Sequence, residues 1–300
     1  MGFYDAKILF YKLLYRYFTS ISDNKFYNNN ILISGATRSG TTWLMEMLYA
    51  QDMKVVWEPT LYESLQDTIS KQFAAELGVI PYIPKDADWP EAYNYFNALF
   101  VGKIDQAITE YSHPLLLTSP FGKSRQLIKF CNINLLLPWL CRNFDISPIV
   151  IIRNPYDVVT SQLNHNGYEH LWEKVNIFDY NKPKYDDIFL KYEQQIKSID
   201  SKIEMLAHWW AVQHVELLEN LHENNPWKIV FYEDLLRDTE LVMSKLIVEY
   251  NINKKIADID FFKPSSTRVE KRNVGLDESF IKDVTDKVLD QYGISLNTLK

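Results

Sequence analysis

A short apolar run, Ile31-Leu32-Ile33-Ser34, leads into Gly35-Ala36-Thr37-Arg38-Ser39-Gly40 and then into Thr41-Thr42-Trp43-Leu44-Met45-Glu46-Met47-Leu48-Tyr49, whose pattern is helical. Strand, glycine-bounded loop and helix in this order form an anion-binding arrangement. Glycine lets backbone N–H groups turn toward an anion, and the helix start adds its positive dipole end. The spacing nearly matches the pattern of two glycines followed by Lys and Ser/Thr that cradles nucleotide phosphates. Thr41 stands where that pattern has its lysine. The strongest strand candidate, Ile149-Val150-Ile151-Ile152, ends in Arg153, where a magnesium-holding strand would end in Asp. The loop is therefore suited to a 5′-phosphate and lacks the equipment for a triphosphate–magnesium complex.

Further apolar runs at Val55-Val56-Trp57, Leu115-Leu116-Leu117, Leu127-Ile128 and Lys228 to Tyr232 read as strands, and Leu135 to Leu140 as a buried helix. Helices are expected over Tyr156–Leu163, Ile203–Leu221 and Glu278–Tyr292, with Asn154 and Pro155 as N-cap and first residue of the first of these. Continuous apolar strands alternating with helices predict a parallel sheet covered on both faces. The fold class is α/β: a P-loop-like, three-layer fold with a central parallel β-sheet flanked by helices. The whole of 1–300 reads as a single domain. Residues 1–28 read as an N-terminal helix, and 60–115 and 166–205 as substrate-side lids. Tyr62, Tyr82, Trp89, Tyr93, Tyr95, Tyr168 and Trp172 are candidate aromatic platforms for an acceptor.

Thirty-two basic against 39 acidic residues give a net charge of −7, which argues against a general nucleic-acid binder. Cys131 and Cys141 are too few for a disulfide framework or a four-cysteine zinc site, and read as reduced thiols in a cytoplasmic protein. The six histidines are scattered, so no metal is expected. No stretch has the eighteen or so apolar residues of a membrane span. The aromatic N-terminal helix, with Lys7, Lys12 and Arg16, reads first as packed on the domain and second as a peripheral membrane contact.

Arg153 ends a strand and Ser161 follows two helical turns later. Arg grips phosphate with two parallel hydrogen bonds, and Ser donates one more. With the first loop, these residues describe a two-phosphate nucleotide site at the C-terminal ends of parallel strands.

On these residues the sequence resembles the sulfotransferases that use 3′-phosphoadenosine 5′-phosphosulfate (PAPS). Thr37-Arg38-Ser39-Gly40-Thr41-Thr42-Trp43-Leu44 is similar to that family's PKSGTTWL loop. Arg153-Asn154-Pro155-Tyr156-Asp157-Val158-Val159-Thr160-Ser161 is similar to its R-[ND]-P-x-D-V-x-x-S element, and Phe231-Tyr232-Glu233-Asp234-Leu235 to its FYEDL strand end. Bacterial and carbohydrate-type members are the most similar.

The resemblance implies that Arg38, Ser39, Gly40, Thr41 and Thr42 hold the 5′-phosphosulfate. It implies that Trp43 stacks on adenine, Tyr232 meets the adenine edge, and Arg153 and Ser161 hold the 3′-phosphate. Arg268, Lys271 and Arg272 would close over the same phosphate. The implied reaction is in-line, metal-independent transfer of a sulfuryl group from PAPS to a hydroxyl or amine of a small-molecule, sugar or lipid acceptor, leaving 3′-phosphoadenosine 5′-phosphate (PAP). Arg38 would stabilise the leaving oxygen. Many members carry a His two residues after a Lys at this strand end; here Lys129 is followed by Cys131. Glu58 is the preferred general base, with His165 and His113 as alternatives, and Lys129 would assist at the sulfuryl oxygens. A P-loop nucleotide kinase and a non-catalytic nucleotide-binding module are the competing readings.

Overall fold

A computed structural model describes residues 29–61, 65, 68–104, 106, 113–117, 125–164, 176–180, 183–221, 224–260 and 277–296. The expected N-terminal helix over 1–28, together with Tyr62, His165, Tyr168, Trp172, Arg268, Lys271 and Arg272, lies outside the described residues.

Five strands form the sheet: β1 (Ile31–Gly35), β2 (Met53–Trp57), β3 (Arg125–Lys129), β4 (Ile149–Ile152) and β5 (Lys228–Phe231). Their order is β2-β3-β1-β4-β5 and every pairing is parallel. β1 sits at the centre, paired through Ile31–Leu127 on one side and Ile33–Ile149 on the other. Successive side chains of a strand point to opposite faces. Leu32, Ile128, Val150 and Ile152 accordingly join one core, while Ile31, Ile33, Leu127, Ile149 and Ile151 join the other. Both faces are apolar because both are covered, which is why the strand runs look continuous rather than alternating.

The second core is closed by α1 (Thr41–Leu48), which follows the glycine loop, and by α7 (Tyr232–Arg237) and α8 (Thr239–Glu249). The first is closed by α2 (Thr68–Leu77), α3 (Pro90–Phe100), α4 (Leu137–Asn143), α5 (Pro155–Leu163), α6 (Lys202–Glu219) and α9 (Glu278–Gln291). α6 starts at a capping box in which Ser201 and Glu204 exchange side-chain-to-backbone bonds, and twelve of its side chains are buried. α5 starts as its sequence reads, with the Asn154 side chain accepting from the Tyr156 N–H and Pro155 in the first turn. Among the described residues, no helix is long and apolar enough to cross a membrane.

Two expectations are corrected. Leu115-Leu116-Leu117 is not a strand but part of a 3-10 helix, Pro114–Leu117. Pro114 has no N–H to give a ladder, and His113 takes two of the next N–H groups, Leu115 on Nδ1 at 3.1 Å and Leu116 on its carbonyl at 3.0 Å. Trp89 and Tyr95 are not acceptor platforms: at 1% and 7% exposure they belong to the core, where Phe73 lies 4.4 Å from Tyr95 and 5.4 Å from Trp89 between ring centroids. Tyr82 is partly buried against the same core, and Tyr93, 44% exposed, stacks on Phe144.

Candidate active site

β1 and β4 are neighbours whose chains leave in opposite directions, toward β2 and toward β5. Such a switch point opens a crevice at the carboxyl ends of the strands. The glycine loop ends β1 there, and Arg153 ends β4 there.

Thr37 anchors the loop. Its N–H and hydroxyl meet Asn132 at 2.9 and 2.8 Å, and its carbonyl accepts from Gln162 Nε2 at 3.0 Å. Asn132 itself has φ 62°, and its N–H bonds back to the Gly35 carbonyl at 2.9 Å. Past Thr37 the chain turns twice through positive φ, at Arg38 (73°) and Gly40 (94°). Alternation of this kind turns successive N–H groups to one side, as in an anion nest. The N–H groups that open α1 at Thr41 and Thr42 have no intrahelical partner. Ser39 is wholly buried, yet its hydroxyl has no hydrogen-bond partner among the described residues. A buried hydroxyl without a partner is costly, and an anion on the loop would answer it. The residues therefore fit the 5′ end of a phosphorylated nucleotide.

Arg153 and the loop are tied together. Arg153 Nη1 donates to the Arg38 carbonyl at 3.1 Å, and Arg38 Nε donates to Ser161 Oγ at 3.0 Å. The two elements expected to take separate phosphates thus share one crevice. Arg153 Nε is buried with no hydrogen-bond partner among the described residues, and Asp157 stands 3.7 Å from the same guanidinium. Beneath it, Trp210 Nε1 donates to the Arg153 carbonyl at 3.2 Å. The Trp210 carbonyl takes His214 Nδ1 at 2.6 Å, and His214 Nε2 meets the Asn134 amide at 3.2 Å. Asn134 in turn accepts from Ser34 of β1 at 2.7 Å. Glu233 accepts the Asn154 N–H at 2.9 Å, fixing the turn from β4 into α5.

On the other side of the loop lies a charged cluster. Lys129, only 2% exposed, ends β3 and donates from Nζ to Glu58 Oε1. Its ammonium also lies 4.0 Å from the ring centroid of Trp57, whose ring is stacked at 5.0 Å on His113. Burial alone would lower the Lys129 pKa; Cys131 and the Glu58 carboxylate outweigh it and hold the ammonium well above its ordinary value. Cys131 Sγ is 3.6 Å from Thr41 Oγ1. Burial and then the Glu58 charge push its thiol up, against the opposite pull of Lys129 and Thr41. The position two after Lys129 therefore holds a protonated thiol at neutral pH. Glu58 follows β2 at φ 45° with its N–H on the Lys129 carbonyl at 2.7 Å, so its backbone and side chain both belong to Lys129.

His113 is committed elsewhere. Its Nε2 lies 2.8 Å from Glu46 Oε1 on α1, and its Nδ1 takes the Leu115 N–H. Trp43 and Tyr232 meet edge to face at 5.8 Å beside the loop. The structure thus brings together Arg38, Ser39, Gly40, Thr41, Thr42, Trp43, Arg153, Ser161 and Tyr232 on one side, and Glu58 with Lys129 on the other. Sequence reading missed Asn132, Gln162 and Trp57. Their partners are 95, 125 and 72 positions away in the chain (Thr37 from Asn132 and Gln162, Lys129 from Trp57), and no local pattern marks such pairs. Among the described residues, no group of three His, Cys, Asp or Glu could hold a metal ion.

A family model described as the sulfotransferase domain matches residues 28–273. The chain belongs to the sulfotransferase family. PAPS is the donor this family uses, and the parallel sheet with its strand-end loop is the family's α/β fold. Among solved structures, the sulfotransferase domain from the curacin biosynthetic pathway is 16% identical, covering 89% of this chain and 98% of that one, with a TM-score of 0.41. A sulfotransferase from Alicyclobacillus acidocaldarius is 16% identical over 89% of this chain and 97% of that one, with a TM-score of 0.38. A retinol dehydratase in complex with retinol and PAP is 14% identical over 89% and 83%, with a TM-score of 0.41. None of these likenesses carries the assignment, which rests on the family match. Comparison with curated protein sequences finds no match.

Proposed function

We propose that this sulfotransferase is a cytoplasmic, PAPS-dependent enzyme that sulfates a hydroxyl or amine of a small-molecule, sugar or lipid acceptor, with Glu58 as general base. When bound, PAPS supplies the activated sulfuryl group. The N–H groups of the loop and the hydroxyls of Ser39, Thr41 and Thr42 hold the 5′ end. Arg153 and Ser161 hold the 3′-phosphate, and Arg268, Lys271 and Arg272 supply further positive charge for it. Trp43 stacks on the adenine.

Arg38 remains charged at any working pH, so it stabilises negative charge and passes no proton. Its bond to Ser161 makes it a bridge between the two phosphate positions. Lys129 presents a fixed positive charge to Glu58 and Cys131, and Cys131 in turn lies against Thr41 of the loop. The acceptor must lose a proton as it bonds to sulfur. Glu58 is favoured to receive it because Lys129 takes only its Oε1 among the described residues, whereas Cys131 keeps its own proton and both ring nitrogens of His113 are engaged, by Glu46 and Leu115.

The observation that supports this reading best is the chain of bonds from Arg153 to the Arg38 carbonyl and from Arg38 to Ser161. It ties the 5′-phosphate loop to the strand end and helix that carry the second anion position. A kinase would need a magnesium ligand where β4 instead ends in Arg153. Calorimetry tests the reading. PAP should bind at least about 100-fold tighter than adenosine 5′-phosphate or ATP–magnesium, and Arg153→Ala should abolish that preference. Equal or tighter binding of ATP–magnesium overturns it.

A further inference from the structure

Tyr232 opens α7 at the end of β5, and its ring meets three groups from two other segments. The Arg153 guanidinium carbon lies 4.5 Å from the ring centroid. A Cβ placed on Gly40 would come within 2.6 Å of the ring's Cδ2 and 2.7 Å of its Cε2, so the ring rests directly on the glycine backbone. Trp43 meets it edge to face at 5.8 Å. Gly40 is thus required twice, by its φ of 94° and by the ring above it.

We infer that Tyr232 is a positioning residue that fixes Arg153 against the 5′-phosphate loop and thereby creates the preference for a 3′-phosphorylated nucleotide. The inference rests on the PAPS reading above and assigns Tyr232 more than contact with the adenine edge. A guanidinium held by its face over an aromatic ring keeps its N–H fork in plane and available to an anion. A carboxylate partner would instead consume the fork. Here Asp157 is 59% exposed and 3.7 Å away, Nη1 is spent on the Arg38 carbonyl, and Nε has no hydrogen-bond partner among the described residues. Among the described residues, the Tyr232 ring is what remains to hold the guanidinium. Because the same ring rests on Gly40, it sets the spacing between the two anion positions. A nucleotide without a 3′-phosphate uses only the loop and gains nothing from that spacing.

The test is calorimetric titration of the full chain with PAP and with adenosine 5′-phosphate. The variants are Tyr232→Phe, Tyr232→Met and Arg153→Ala, with Tyr232→Met also combined with Arg153→Ala. Tyr232→Phe keeps the ring and should keep the wild-type ratio of the two affinities. Tyr232→Met fills the volume without a π face and should lower that ratio about tenfold. In the Arg153→Ala background the same change should leave the ratio unaltered, since the ring would have nothing left to position. Thermal melts identify any variant that fails to fold. If Tyr232→Met is such a variant, loss of the ratio in Tyr232→Phe overturns the inference and its retention supports it. Equal weakening of both ligands by Tyr232→Met overturns the inference while leaving the PAPS reading intact. A wild-type ratio near one overturns both.

Discussion

Glu58 and Lys129 each depend on the other for their placement. Lys129 is buried deeply enough that it needs a counter-charge, and Glu58 sits at φ 45° where its N–H bonds to the Lys129 carbonyl. A buried ion pair with one member removed leaves an uncompensated charge, which is strongly destabilising. Glu58→Gln removes that counter-charge together with the basicity but leaves the ammonium a hydrogen-bond acceptor, so it costs less than a truncation. Glu58→Gln retains the size and one acceptor oxygen toward Lys129. It should lower kcat by about 10²–10⁴-fold while leaving PAP affinity within about twofold. Single-turnover sulfate transfer to a panel of hydroxyl and amine acceptors would measure this. A variant with unchanged kcat would move the base to another residue. Glu58 was legible in the sequence as the end of a strand. Its pairing with Lys129, 71 positions later, was not.

At the scale of elements, the loop after β1 is held by a neighbour that has no motif of its own. Asn132 reaches from the end of β3 and takes both the N–H and the hydroxyl of Thr37, from a left-handed backbone that Asn tolerates better than most residues. Asn132→Gly keeps the backbone and loses the amide, and Asn132→Ala loses both. Each should weaken PAP binding by about tenfold, and Asn132→Ala should in addition lose roughly 1–3 kcal/mol of stability in urea unfolding. Undiminished PAP affinity in both would show that the loop keeps its shape without Asn132. The helix starts behave differently. Asn154 with Pro155, and Ser201 with Glu204, are caps written in adjacent residues, so both helices begin where a local reading puts them. Leu115-Leu116-Leu117 is the opposite case. An apolar triplet fits a strand or a tight helical turn equally, and Pro114 with His113 decided the matter.

For the whole molecule, two buried histidines make stability depend on pH. Burial lowers His208 and His214 from 6.5 to about 4. His214 is neutral, donating from Nδ1 to the Trp210 carbonyl and accepting the Asn134 amide at Nε2. A second proton would set two donors against each other. The unfolded chain takes up these protons below about pH 6.5 and the folded chain only below about pH 4. Stability is therefore complete above pH 6.5 and falls as the pH drops toward 4, by about 3 kcal/mol for His214 alone. Urea unfolding between pH 7 and 4 should show that decline, and His208→Gln should make it shallower. Identical slopes in wild type and variant would show that His208 does not titrate across unfolding. The same network runs under Arg153 through Trp210, and because His214 in the folded chain stays neutral until about pH 4, PAP affinity should hold across this interval and fall only as the pH nears 4.

The sequence by itself determined the local parts: the strand–loop–helix around Gly35 to Thr42, the caps of α5 and α6, the parallel α/β class, and the residue types suited to two phosphates. These are short-range facts, fixed by backbone sterics, periodicity and hydrogen bonds within a few residues. Only the tertiary structure decided that Arg38 bonds Ser161 across 123 positions, that Lys129 serves Glu58 and Trp57 together, and that Trp89 and Tyr95 fill the core instead of lining a pocket. Strand order brings those residues together. Order is set by how the two faces of the sheet are buried, which depends on the whole chain packing at once and leaves no mark at any single position.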